Sequence, residues 1–206
     1  MTRSSFLRHR DVSHETLRRL EHYEALLRKW NPAINLVSTP TLNHVWTRHF
    51  LDSAQVFDLR PADAATWADL GSGGGFPGLV AAIIALEEQP GLRFSLVEAD
   101  QRKCAFLSEA ARTLSLNADV VNARIEAIDP LSADIISARA LAPLGALLSF
   151  AERHLATGGV AIFPKGARCN EEISQALENW RFTYENHPSL TDTDGVILKV
   201  GEIVRV

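Results

Sequence analysis

The sequence predicts an α/β fold, a mostly parallel seven-stranded sheet preceded by helices. Three observations predict it. From residue 66 onward, short apolar runs alternate with helical patterns, the order that builds a parallel sheet covered on both faces. The stretch GSGGGFPG (71–78), dominated by glycine, joins the first such run to the next helical pattern. The last two apolar runs have no helix pattern between them, which fits an antiparallel C-terminal strand pair.

In chain order, residues 13–30 read as an amphipathic helix. Ser13 is placed to cap it, with Thr16 where a capping box would carry an acid. Leu17, Leu20, Tyr23, Leu27 and Trp30 recur at helical spacing, and Asn31-Pro32 ends the pattern. Residues 41–58 read as a second helix through Leu42, Val45, Trp46, Phe50, Leu51, Ala54 and Phe57. These helices form an N-terminal extension over residues 1–60, and the α/β domain occupies 61–206. Its strands are TWADL (66–70), RFSLVE (93–98), ADVVN (118–122), ADIISA (133–138) and GVAIFPK (159–165). Helical patterns near 77–88, 101–115 and 143–155 separate them. RFTYENH (181–187) and GVILKVGEIVRV (195–206) supply the last two strands.

Composition bounds the function. The chain has 206 residues, 46% hydrophobic and 22% charged, enough for a full core. Cys104 and Cys169 are far apart, and no C-x-x-C or His-x-His spacing is present, so no metal site is expected. The N-terminus lacks a signal-peptide pattern, and LVAAIIAL (79–86) is too short to cross a bilayer. The expectation is a cytoplasmic protein with no membrane anchor. A net charge of −4 argues against a uniformly basic nucleic-acid coat but leaves room for a local patch. Residues 1–30 carry seven Lys/Arg against four acids. That excess reads equally as a track for phosphates or as a solvated helix face.

The glycine stretch carries the chemistry. Gly-rich turns between strand and helix let a ligand approach the backbone. Gly73, Gly75 and Gly78 spell the dinucleotide fingerprint G-x-G-x-x-G. Asp69, Gly71, Gly73 and Gly75 spell D-x-G-x-G-x-G, which resembles the first motif of Rossmann-like S-adenosylmethionine-dependent methyltransferases. Glu98, ending the second strand, is placed to accept the ribose hydroxyls of an adenosine, which both cofactors contain. Asp69 favours the second register: a carboxylate suits a sulfonium and an amino group, and would repel a pyrophosphate. NARIE (122–126) follows the third strand, and its backbone and Ile125 are placed to hold an adenine, with Glu126 nearby.

Further pieces are specific: LLRKWNPAINLVS (26–38), RHFLDS (48–53), DLGSGGGFPGL (69–79), LVEADQRKCAFL (96–107), ARIE (123–126), ISARALAPL (136–144) and FPKG (163–166). Together they resemble the RsmG (GidB) family, methyltransferases that modify guanine N7 in 16S ribosomal RNA. Val37 stands where Thr is more frequent, and Ala138 precedes Arg139 as an extra residue. The resemblance implies a class I methyltransferase fold and S-adenosylmethionine as cofactor. It also implies the small ribosomal subunit or its 16S RNA as partner, and a monomer. Gly71, Phe76, Ile125, Glu126 and Arg139 carry over as cofactor-binding positions, beside Asp69, Gly73, Gly75 and Glu98.

Guanine N7 offers a free lone pair on the major-groove edge, so no proton need leave and no catalytic base is expected. The rate must come from holding the reactants in line. Asn35, Arg48, His49 and Lys165 are the substrate-side candidates, with Asp52 also near the mouth. Competing readings are a methyltransferase for a small molecule or protein, and a non-catalytic module that assists ribosome assembly.

Overall fold

A computed structural model describes residues 3–206. The element order is α1 (Arg3–His9), α2 (His14–Ile34), α3 (Thr39–Leu42), a π-helical turn (Trp46–Leu51) and α4 (Asp52–Asp58), then β1 (Thr66–Leu70), α5 (Gly78–Glu88), β2 (Arg93–Glu98), α6 (Gln101–Thr113), β3 (Ala118–Asn122), a 3-10 turn (Ile125–Ala127), β4 (Ala133–Ser137), α7 (Leu144–His154), β5 (Leu155–Lys165), α8 (Cys169–Ala176), β6 (Trp180–Pro188) and β7 (Val196–Arg205). The sheet order is β3-β2-β1-β4-β5-β7-β6. β7 alone runs opposite to the other six strands. This is the seven-stranded α/β sheet expected from the alternation.

The central strands are buried on both faces, which is why they read as continuous apolar runs. Beyond β1 the chain turns to β2 on one side and to β4 on the other. That reversal opens a crevice at the carboxyl ends of the strands, where ligands of such sheets sit. Helix α5 is buried at every position from Gly78 to Ala85 because it lies between the sheet and the N-terminal helices. Tyr23, Trp46, Phe50, Phe76 and Phe106 belong to one core cluster, so the N-terminal helices share their core with the sheet. No helix among the described residues is long and apolar enough to cross a membrane.

Three local expectations are corrected. Helix α2 does not stop at Asn31-Pro32 but runs to Ile34, with Pro32 inside its last turn. A proline so near the end forfeits a single helical hydrogen bond, and Asn31 offsets it: its Oδ1 accepts from the Val37 amide at 2.8 Å. The Ser13 cap forms, accepting from the Thr16 amide, but the Thr16 hydroxyl reaches Glu87 across the fold rather than back to the cap. Residues 41–58 are not one helix. A π-helical turn widens the backbone at Trp46–Leu51, a feature often found at functional sites. Helix α8 is an additional element that the sequence reading did not foresee.

Candidate functional site

The glycine loop is held from two sides. Below it, the Tyr23 hydroxyl of α2 donates to the Gly74 carbonyl. Beside it, Glu98 at the end of β2 accepts from the Gly73 amide through one carboxylate oxygen and from the Asp100 amide through the other, each at 2.9 Å. Gly75 has φ +89°, and an added Cβ would lie 2.4 Å from Leu79 and 2.7 Å from the Tyr23 hydroxyl. Glycine is required there by backbone and space alike.

Asp69 does not face the crevice as expected. It is fully buried, and its carboxylate accepts from Ser137 Oγ of β4 at 2.6 Å and from the Gly78 amide at 3.3 Å. Ser137 in turn accepts from Trp67 Nε1 at 2.8 Å. Asp69 therefore ties β1 to β4 and to the start of α5, behind the loop. Burial raises its pKa to about 6, against the lowering effect of these hydrogen bonds.

Gly71, Gly73, Glu98, Ile125, Glu126 and Arg139 line one cavity of about 490 Å³. Lys103, Arg124, Leu141 and Phe150 also line it, and the sequence reading did not single these out. Leu141 reaches across to Gly71, where a Cβ would lie 2.6 Å from its Cδ1. The cavity size and the bare glycine wall suit a nucleoside-bearing cofactor, and Glu98 adds acceptors. Gly75 and Phe76 lie outside this lining. Phe76 is buried beneath it, stacked on His49 at 4.6 Å, with the Arg139 guanidinium 4.9 Å from its ring.

A second cavity of about 640 Å³ shares the 139–142 segment as a wall. Arg48, His49, Asp52 and Lys165 line it. Arg139 faces both spaces. It donates to the Arg48 carbonyl (3.2 Å), to Asp52 Oδ2 (3.3 Å) and to His49 Nδ1 (2.8 Å). A guanidinium only donates, so His49 Nδ1 accepts and the proton sits on Nε2. Burial, then the charges of Arg139 and Arg48, push the His49 pKa down to about 3. Burial also raises the pKa of Asp52, although Arg139 opposes it.

Every carboxylate on this second wall is ion-paired: Asp52 with Arg139, Glu172 with Lys165 (2.5 Å) and Asp192 with Arg48 (3.3 Å). Glu172 also accepts from the Leu144 amide at the start of α7. The segment between β6 and β7 closes one side, its Thr191 bonded to Asp52 and its Leu190 amide to Gln55. Asn35 lines neither cavity. It is an exposed left-handed cap on α2, φ 48°, a conformation that asparagine tolerates.

Five of the seven cations in the basic N-terminal stretch are ion-paired within the chain. Arg3 meets Glu21, Arg10 meets Asp58 and Glu88, Arg18 and Arg19 meet Glu15, and Arg28 meets Glu24. Among the described residues no group of three or more His, Cys, Asp or Glu could hold a metal ion.

A family model described as GidB, rRNA small subunit methyltransferase G, matches residues 16–197. The ribosomal RNA small subunit methyltransferase G of Ruegeria pomeroyi is 53% identical over 196 residues, 95% of this chain and 96% of its own. The protein of the same name from Cereibacter sphaeroides (strain ATCC 17029 / ATH 2.4.9) is 50% identical over 206 residues, the whole of both chains. Among solved structures, TYW2 of M. jannaschii in complex with AdoMet superposes with a TM-score of 0.57, covering 82% of this chain and 78% of that one. At 12% identity that likeness shows the fold alone.

Proposed function

The chain belongs to the GidB family of small-subunit ribosomal RNA methyltransferases, and from that membership we propose that it methylates N7 of a guanine in 16S ribosomal RNA. The methyl donor is S-adenosylmethionine. Bound, it supplies an electrophilic methyl carbon. The 490 Å³ cavity is read as its cleft, with Glu98 accepting from the ribose, Gly71 and Gly73 leaving room for the ligand, and the 125–126 turn walling the adenine. The 640 Å³ cavity is read as the place of the target base.

One observation carries the choice of atom. Each carboxylate on the second wall is held by a cation, and the Nδ1 lone pair of His49 is held by Arg139. Among the described residues this wall offers no free base. An exocyclic amine or a ribose hydroxyl would have to lose a proton, whereas guanine N7 attacks with a lone pair it already has. The chain's part is positioning: holding N7 in line with the methyl carbon and excluding water. On this reading residues 1–60 form an extension that shapes the mouth, residues 61–206 form the catalytic domain, and the chain acts as a cytoplasmic monomer.

The test is transfer of labelled methyl to unmodified small subunits and to their stripped RNA, followed by cleavage at N7-methylguanine. A single mapped guanine, lost in Glu98→Ala, is the expected result. Label on an exocyclic nitrogen or a 2′-oxygen would overturn the argument from the wall. No transfer to either substrate, with cofactor binding intact, would return the choice to the competing readings.

A further inference from the structure

The last turn of α7 grips the wall of the smaller cavity at two points. His154, the final residue of α7, is fully buried, and its Nε2 lies 3.2 Å from the Ile125 carbonyl. The preceding residue, Arg153, donates from its guanidinium to the Ile128 carbonyl at 2.8 Å. One carbonyl belongs to the first residue of the short 3-10 turn Ile125–Ala127 and the other follows its last, and Ile125 and Glu126 of that turn line the cavity. One turn earlier, Phe150 of the same helix lines that cavity directly.

A carbonyl only accepts, so the proton of a neutral His154 sits on Nε2 and Nδ1 is left bare. Nδ1 is buried without a partner among the described residues. A buried polar atom left unsatisfied costs stability, so a leucine of similar reach would serve packing better. The histidine gives the fold something other than bulk, and the one bond its ring makes is to Ile125.

We propose that His154 is a positioning residue for the adenosine end of the cofactor: its bond to the Ile125 carbonyl, with Arg153 at Ile128, fixes the turn that walls the cleft. This rests on the reading of the 490 Å³ cavity as the cofactor site. The backbone of a short turn has few bonds of its own, since the Ala127 amide to the Arg124 carbonyl is the one the turn closes internally. Two side-chain donors from a rigid helix supply the rest.

The experiment measures dissociation constants for S-adenosylmethionine and for adenosine, together with affinity for stripped 16S RNA, in wild type, His154→Leu, His154→Gln and Arg153→Met. His154→Leu should weaken both cofactor ligands by a similar factor, about tenfold for one lost buried hydrogen bond, and leave RNA affinity unchanged. His154→Gln, which keeps a donor, should recover most of the loss. Arg153→Met acts on an exposed bond and should weaken the same two ligands by about threefold. Should His154→Leu fail to fold, the glutamine and Arg153 variants carry the test. Unchanged adenosine affinity in a folded His154→Leu, or in Arg153→Met if the leucine variant does not fold, overturns the proposal. So does an equal loss of RNA affinity. If wild type itself binds neither S-adenosylmethionine nor adenosine, the cavity assignment fails instead.

Discussion

Replacing Arg139 by methionine keeps most of its apolar stem and removes its charge. The structure sets the size of the effect. Arg139 and Asp52 have side chains 19% and 14% exposed, so this pair is largely dry. Breaking a fully buried pair costs about 3–5 kcal/mol, because the remaining charge is stranded. Partial exposure and a single 3.3 Å contact argue for less than that, about 2–3 kcal/mol. The lost bonds to the Arg48 carbonyl and His49 Nδ1 add about 1 kcal/mol together. The sum is a large share of a stability of about 5–15 kcal/mol, yet leaves a folded protein. The assay is urea denaturation at neutral pH of Arg139→Met, Asp52→Asn and the double variant. Removing the stranded carboxylate should restore about 1–2 kcal/mol as coupling. The sign with pH follows. In Arg139→Met, Asp52 loses the charge that opposed its raised pKa, so its folded-state pKa climbs further above the unfolded one. The variant's deficit should therefore shrink as pH falls through that pKa, because a protonated Asp52 no longer needs the guanidinium. Additivity of the two substitutions within about 0.5 kcal/mol, or a deficit that grows on acidification, would refute the pairing argument.

Glu98→Gln should weaken S-adenosylmethionine binding by about tenfold or more, since an amide replaces an acceptor that already serves two backbone amides; calorimetric titration reads it. Tyr23→Phe removes one buried bond to Gly74 and should cost about 1 kcal/mol of stability together with some cofactor affinity, whereas an effect on stability alone would separate the loop from its support. Asp69 has a folded pKa raised to about 6, so its ionisation disfavours the fold as pH rises. The difference in unfolding free energy between wild type and Asp69→Asn should fall by about 2 kcal/mol between pH 4 and 7, and a flat difference would show that Asp69 titrates normally.

The legible parts of the fold were those where one rule acted alone. The strands and α5, α6 and α7 stood out because apolar runs and glycine punctuation agreed. Where two rules competed, the reading slipped. Pro32 is a helix breaker in general, but near a helix end it forfeits one bond, and Asn31 restores a contact that no periodicity displays. The π-helical turn at Trp46–Leu51 shifts spacing by one residue, which a string of apolar positions absorbs without trace. Helix α8 shows only Cys169, Ile173 and Ala176 as its apolar face, too short a stripe to read. In the candidate site the glycine loop was visible and the direction of Asp69 was not used. Strand parity held the missing clue: Asp69 and Trp67 point to the same face of β1, and both meet Ser137. The Tyr23 contact with Gly74 and the docking of the 189–195 segment on Arg48 and Asp52 join residues remote in sequence, and no local pattern announces them.

On the proposed reading of the larger cavity as the place of the target base, the pairing of charges around it also bears on the product. Arg48, Arg139, Lys165 and Arg168 line it against Asp52, Glu172 and Asp192, a net of +1 with His49 neutral. An RNA substrate brings phosphates, which favour cations at the mouth. Methylation at N7 makes the base itself a cation, which disfavours cations close to the reacting atom. A wall of bare arginines would meet the first demand and oppose the second. Arg48, Arg139 and Lys165, each held against a carboxylate, meet both: the Arg48 side chain is 47% exposed and open to phosphate, while the buried pairs present little net field to the base. The same pairs that deny the cavity a free base also keep it from repelling a charged product.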